Sequence, residues 1–349
     1  MKLLVIAALL LSVSPSPALQ TPSGRTGNWT ARLSDTWTNN GERYVSFQLE
    51  REDDHRWGVS VKLADLKGFT GSEGATGPAR FSLTRDAGTI DFDGRFEQGL
   101  GRGTYRFAAN PAYVQALGQM GFRSLDEDDL FRLTAQDVSR AFIASIQAEG
   151  YKTIELDELI RMRIHGVDAT YIRAFRTEGY DTLPVADLVR TRIHGATPTF
   201  VQDVKKAGFE KLDVDDLVRM RIHGVTPAFI REMQEAGYKD LSVEQLVRLR
   251  IHGVTPAFIK EIRALGYTEL KIEDYVKMRI HGVTPTFIKE LRDLGYTGVT
   301  AGRLVQFRIH GVSADFIRDA RNAGFKDMDE DDLVDLSIHG RQWLKKRRG

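Results

Sequence analysis

The stretch RIHGVTPAFI occupies residues 221–230 and again 250–259, with RIHGVTPTFI at 279–288. Laid out at this 29-residue step, the chain carries His165, His194, His223, His252, His281, His310 and His339. Each is followed by a glycine: Gly166, Gly195, Gly224, Gly253, Gly282, Gly311 and Gly340. Self-similarity at a fixed step of this length marks a repeat architecture, in which a unit buries its apolar face only against its neighbours. Two degenerate units precede the first histidine, because NPAYVQALGQMGF from Asn110 aligns with SRAFIASIQAEGY from Ser139 and TPAFIREMQEAGY from Thr226. The array is therefore expected over residues 110–340, as about eight units.

Each unit reads as two short helices, A and B. In the copy around His252, helix B (VEQLVRLR) runs into Ile251 and His252, and Gly253 is the left-handed residue that stops it. Val254 then touches Leu249, as a Schellman ending requires, and also precedes the next helix, where Thr255 is the N-cap and Pro256 the first helical residue. One hexapeptide, Ile-His-Gly-Val-Thr-Pro, ends one helix and starts the next. The N-cap column reads Asn110, Ser139, Asp168, Thr197, Thr226, Thr255, Thr284 and Ser313, all good capping residues. Helix B is expected to begin after Asp213, Ser242 or Thr300, and the acidic runs at 126–129 and 329–332 fall at helix starts, with calcium binding the lesser alternative. Two aromatic columns, Tyr113 to Phe316 and Phe122 to Phe325, face the core by helical periodicity.

The repeated histidine invites a chemical reading, which the spacing opposes. Equivalent atoms of stacked repeats lie about 8–10 Å apart, whereas two imidazoles sharing a zinc ion need nitrogens about 2.1 Å from it. The seven histidines and seven glycines are therefore expected to be structural caps, the imidazole sitting at the negative end of a helix. A ligand or proton-sensing role is the alternative. Arg163, Arg192, Arg221, Arg250, Arg279 and Arg308 form a second ladder, with Ser337 in the final unit. Asp203, Glu232, Glu261, Glu290 and Asp319 stand eleven residues after five of these arginines, so the spacing predicts Arg–carboxylate pairs. A cationic groove for an anionic polymer is the alternative. The outer bases Arg161, Arg190, Arg219, Arg248 and Lys277 are expected on a solvated face, with Asp215 and Glu244 four residues before two of them.

Outside the array the pattern changes. Val45, Phe47 and Leu49, Val59, Val61 and Leu63, Ile90, Phe92 and Phe96, and Tyr105 and Phe107 alternate with a step of two, which predicts a small antiparallel β domain over residues 29–109. The glycines of GLGRGTYRF lead into strand-like sequence, so hairpin turns or bulges are expected there and not a phosphate cradle. Residues 1–18 have a basic start, an apolar run and small residues at a cleavage position, the pattern of a secretory signal. Residues 19–28 read as a linker and 341–349 as a basic tail. With no cysteine in 349 residues there is no disulfide framework, thiol nucleophile or cysteine zinc site. The formal net charge of +1 gives no whole-chain field to attract nucleic acid. No HExxH or GxSxG is present, and His55 beside Asp53 and Asp54 does not make a triad. No catalytic residue, cofactor or metal is expected.

The fold class expected is thus α+β: a small antiparallel β domain followed by an α-solenoid of two-helix repeats. The combination of RFSLTRDAGTIDFDGRFEQGLGRGTYRF with units of the RIHGVTPAFIREMQEAGY type resembles the extracytoplasmic carboxy-terminal regions of some bacterial BlaR/MecR-type membrane metallopeptidases, and their stand-alone repeat relatives. This chain lacks the peptidase's HExxH and membrane helices, so the resemblance implies an exported accessory or sensory module and carries neither proteolysis nor β-lactam sensing. The expected function is non-enzymatic, periplasmic or secreted, with another envelope protein as partner, no nucleic acid and no transmembrane span in the mature chain. A binder of an anionic envelope polymer is the second reading, and an unrecognised enzyme in the β domain the third.

Overall fold

The computed structural model describes residues 25–39, 41–51 and 56–340. The expected signal, most of the linker, His55 with Asp53 and Asp54, and the basic tail lie outside the described residues.

Eight antiparallel strands form one curled sheet: β1 (Thr26–Arg32), β2 (Trp37–Asn39), β3 (Glu42–Arg51), β4 (Arg56–Lys62), β5 (Leu66–Lys67), β6 (Gly77–Arg85), β7 (Gly88–Glu97) and β8 (Leu100–Ala109). Their order is β2-β3-β1-β8-β7-β6-β5, and β4 also pairs with β3. The step of two works as expected, with Val45, Phe47, Leu49, Val59, Val61, Ile90, Phe92, Phe96, Tyr105 and Phe107 all buried. Three differences stand out. The sheet starts at Thr26, inside the expected linker, because Trp29 fills its core and meets the rings of Phe47, Phe81, Phe92 and Phe96 at 5.4–6.1 Å. Leu63 leaves strand geometry in a single 3-10 turn, and Leu66 takes the buried place instead. Strand β6 supplies Phe81 and Leu83 to the same core.

The expected glycine turn is a two-residue hairpin joining β7 to β8, with positive φ at both Gln98 (49°) and Gly99 (80°), which matches the twist of the flanking strands. Gly94 and Gly103 pair across the same two strands. A Cβ on Gly103 would stand 2.0 Å from the Asp93 carbonyl oxygen, so only glycine allows this close approach.

Sixteen helices follow among the described residues. They are α1 (Pro111–Gln119), α2 (Glu127–Ala135), α3 (Arg140–Ala148), α4 (Leu156–His165), α5 (Ala169–Thr177), α6 (Val185–His194), α7 (Pro198–Lys206), α8 (Val214–Ile222), α9 (Pro227–Glu235), α10 (Val243–Ile251), α11 (Pro256–Ala264), α12 (Ile272–Ile280), α13 (Pro285–Asp293), α14 (Ala301–His310), α15 (Ala314–Asn322) and α16 (Glu330–His339). Odd-numbered helices are A and even-numbered helices B. At nine or ten residues each spans about 15 Å and gains its stability from packing. The chain forms two compact units, Met1–Arg173 and Ala174–Gly349.

The first unit joins the sheet to the earliest helices. Phe131 of α2 is fully buried, stacked on Tyr105 at 5.5 Å and edge-on to Phe107 and Trp57. Arg25 lies 4.5 Å from the ring centroids of both Trp57 and Phe131, and pairs with Asp128. Arg85 donates to the last carbonyls of α2, at 3.0 Å to Thr134 and 2.5 Å to Ala135, and so places a cation at the negative end of that helix. Burial pushes the Arg85 pKa down, opposed by Asp137 and Asp65. On the other side of the sheet–helix joint, Asp86 receives the Arg140 backbone N–H at 2.8 Å and its Nη2 at 2.6 Å.

Candidate interaction surface

The bonds around the repeated hexapeptide can be followed atom by atom. In each of Ser139, Asp168, Thr197, Thr226, Thr255, Thr284 and Ser313, the side chain accepts the backbone N–H three residues on, and Asn110 accepts that of Ala112. At the end of α10 the Val254 N–H donates to Leu249 O at 2.8 Å and the Gly253 N–H to Arg250 O at 3.2 Å, the two bonds of a Schellman motif. Gly166, Gly195, Gly224, Gly253, Gly282 and Gly311 have φ of 66–72°. Gly340 does not: its φ is −99°, and Arg-Gln-Trp follows it in place of the Val-Thr-Pro helix start that requires the chain to reverse. Asp126 and Asp329 begin α2 and α16 in reciprocal capping boxes with Asp129 and Asp332.

The histidines end the B helices. His223, His252 and His281 are the C-cap residues of α8, α10 and α12, half-buried, with φ near −93°. Among the described residues no group of three or more histidine or acidic side chains is placed to hold a metal ion.

At Arg221, Arg250 and Arg279 the arginine ladder has a different partner from the one its spacing predicts. No ion pair among the described residues joins Arg221, Arg250 or Arg279 to Glu232, Glu261 or Glu290. Instead each guanidinium lies over a phenylalanine of its own repeat, beside the glycine that ends the repeat before. Arg221, Arg250, Arg279 and Arg308 lie 5.1 Å from the centroids of Phe200, Phe229, Phe258 and Phe287. A Cβ on Gly195, Gly224, Gly253 or Gly282 would stand 3.0–3.1 Å from the corresponding Nη2. The absent glycine side chain leaves the space for the next repeat's cation, which then sits on an aromatic face. Asp137 stands in the glycine column of the first unit, at φ 56°, and there Arg163 finds a carboxylate as well: it pairs with Asp137, donates to its carbonyl at 2.9 Å, and lies over Phe142. In the last repeat the Ser337 hydroxyl donates to His310 O.

Of the outer bases, Arg190 pairs both with Asp187 of its own helix, at 3.7 Å, and with Asp215, 25 residues on. At another position of helix B, Arg303 meets Asp331 at 2.6 Å. Asp215 and Glu244 make no ion pair with Arg219 and Arg248 among the described residues. A further ladder escaped the sequence reading. Gln234, Arg263 and Arg321 donate to the carbonyls of Ala207, Ala236 and Leu294 at 2.6–2.9 Å, and Arg292 to that of Leu265, always 27 residues back. Tyr180, Tyr238, Tyr267 and Tyr296 donate their hydroxyls to carbonyls 32 residues on, at 2.6–3.1 Å. Burial pushes the pKa of Tyr180 and Tyr267 up, which keeps each hydroxyl a donor.

One repeated side chain has no such internal task. Ile193, Ile222, Ile251, Ile280, Ile309 and Ile338 are about half exposed, from 49% at Ile338 to 56% at Ile222, and Ile164 of the first unit is 52% exposed. They are the only exposed large hydrophobics among the described residues of the helical array. Each follows an outer position by three residues, so isoleucine and outer side chain share one helix face. A single exposed isoleucine is ordinary, whereas a column in register is an apolar surface. Helix propensity does not explain it, because arginine or lysine would suit an exposed helix better than a β-branched residue.

No protein-family model matches the chain, and no curated protein matches its sequence. An open groove of about 850 Å³ lies on the outer face of the sheet, lined by Lys67, Arg80, Asp91, Asp93 and Arg106 among others. Arg80 and Asp93 there neutralise each other at 3.0 Å. No helix among the described residues is long and apolar enough to cross a membrane.

Proposed function

We propose that the chain is a non-enzymatic binding or scaffolding protein whose working surface is the isoleucine-bearing face of the B helices. The repeated exposure of Ile193, Ile222, Ile251, Ile280, Ile309 and Ile338 supports this reading. The repeat's other apolar columns are spent on its own core. A solenoid multiplies a weak contact by the number of rungs, so modest apolar patches can sum to a stable interface. The signal-like residues 1–18 support an exported protein with a partner in the bacterial envelope.

The second reading, an anionic-polymer groove built on the arginine ladder, has less support. The guanidinium groups of Arg221, Arg250, Arg279 and Arg308 are committed to phenylalanine faces of their own repeats. A photoreactive residue placed at Ile251 in the full chain, in producing cells, distinguishes the readings. A discrete protein adduct from position 251, and none from Lys260 on the neighbouring A helix, is the expected result. Adducts at neither position, with retention of the chain on an anionic polysaccharide that salt abolishes, would support the polymer reading instead.

A further inference from the structure

The outer position that precedes each isoleucine changes sign along the second unit: Arg190, Arg219, Arg248, Lys277, Gln306, Asp335. Arg190 is held by Asp215. Arg219, Arg248 and Lys277 are exposed, as is Asp335, and none of the four makes an ion pair among the described residues. A stripe that is basic at one end and acidic at the other opposes its own charges when laid against itself in reverse. Laid in the same direction, it would set like against like.

We propose that this face binds a second copy of the same chain, antiparallel, as an isologous dimer. The inference rests on the binding reading above and names its partner. The charges choose the register. With the twofold axis between Ile280 and Ile309, Ile251 meets Ile338 of the second copy and Ile280 meets Ile309 of the second copy. Arg248 then faces Asp335 of the second copy, and Lys277 faces an uncharged Gln306. An axis at Ile280 would oppose Lys277 with its own copy, and one between Ile251 and Ile280 would oppose Arg248 with Lys277, like-charge contacts that cost binding. Apolar side chains at the centre with charges beside them are the usual anatomy of a stable interface.

Sedimentation of the full chain over a concentration series tests this. The wild type is expected to form a dimer at micromolar concentration. Ile251→Asp with Ile280→Asp should raise the dissociation constant by about 100-fold or more, with an unchanged far-ultraviolet spectrum showing that the array is intact. Arg248→Asp or Asp335→Arg alone should weaken the dimer about tenfold, and the two together should restore it, a rescue that misfolding cannot imitate. A wild type that stays monomeric at tens of micromolar, or a dimer indifferent to all four substitutions, would overturn the proposal. If that monomer still gives a discrete adduct from position 251, the face binds a different protein and only the homodimer fails. Without that adduct, the binding reading fails as well.

Discussion

Gly253 and Arg279 show how closely one residue's size is tied to another's position. Alanine at 253 must adopt φ near +66° and place its Cβ about 3.0 Å from the arginine Nη2, so Gly253→Ala should cost about 1–2 kcal/mol in urea unfolding. Part of that cost should vanish in an Arg279→Ala background, where the space is free. Additive effects of the two substitutions would mean that the glycine is needed for its backbone alone. His252 is a milder case. As a half-buried C-cap it is expected to tolerate asparagine at a cost below about 1 kcal/mol, and zinc should not raise the melting temperature of the wild type. Zinc stabilisation lost in His252→Asn would return the histidines to ligand chemistry.

At the scale of elements, short helices are tied to neighbours by side chains that reach backbone carbonyls. Tyr267→Phe removes the 2.6 Å bond to Val299 O and should cost about 1 kcal/mol. Phe209 and Phe325 occupy the same column without a hydroxyl, so the fold itself should survive. The sheet–helix joint of the first unit is pH-sensitive in a defined direction. The Arg140 side chain holds Asp86 below the usual carboxylate range, chiefly through its hydrogen bonds, against the opposing effect of burial. A depressed folded-state value means that this stabilisation is complete above about pH 4, the unfolded carboxylate value, and is lost as pH falls through the folded one. Asp86→Asn should therefore lower the melting temperature at neutral pH and flatten its decline on acidification. An unchanged acid limb would show that other carboxylates dominate.

For the whole molecule, the repeat step and the two-helix unit were legible because caps are local: Thr255, Pro256 and Gly253 specify their conformations within a turn. The β core was readable from its alternation, although the first strand, expected from Trp29, starts at Thr26, since two or three residues carry no period. The arginine partners were not readable. Spacing along the chain offered Glu232 to Arg221, while the fold offered the face of Phe200 and the space beside Gly195, and such proximity across a repeat depends on stacking geometry that no local pattern encodes. The isoleucine column stood in plain view inside RIHGVTP, but helical periodicity places it only near the margin of the apolar face, and its exposure emerges once neighbouring repeats are stacked.

The most direct test of that surface is side-chain labelling by photolysed carbene reagents, read by mass spectrometry on the full chain, dilute and purified, and again in a native envelope extract. Labelling of Ile222, Ile251 and Ile280 in the purified chain should be strong and should fall in the extract, while that of Lys260 and Lys289 on the A helices stays constant. Isoleucines labelled equally in both states, with protection on the A helices or on the sheet, would place the working surface elsewhere.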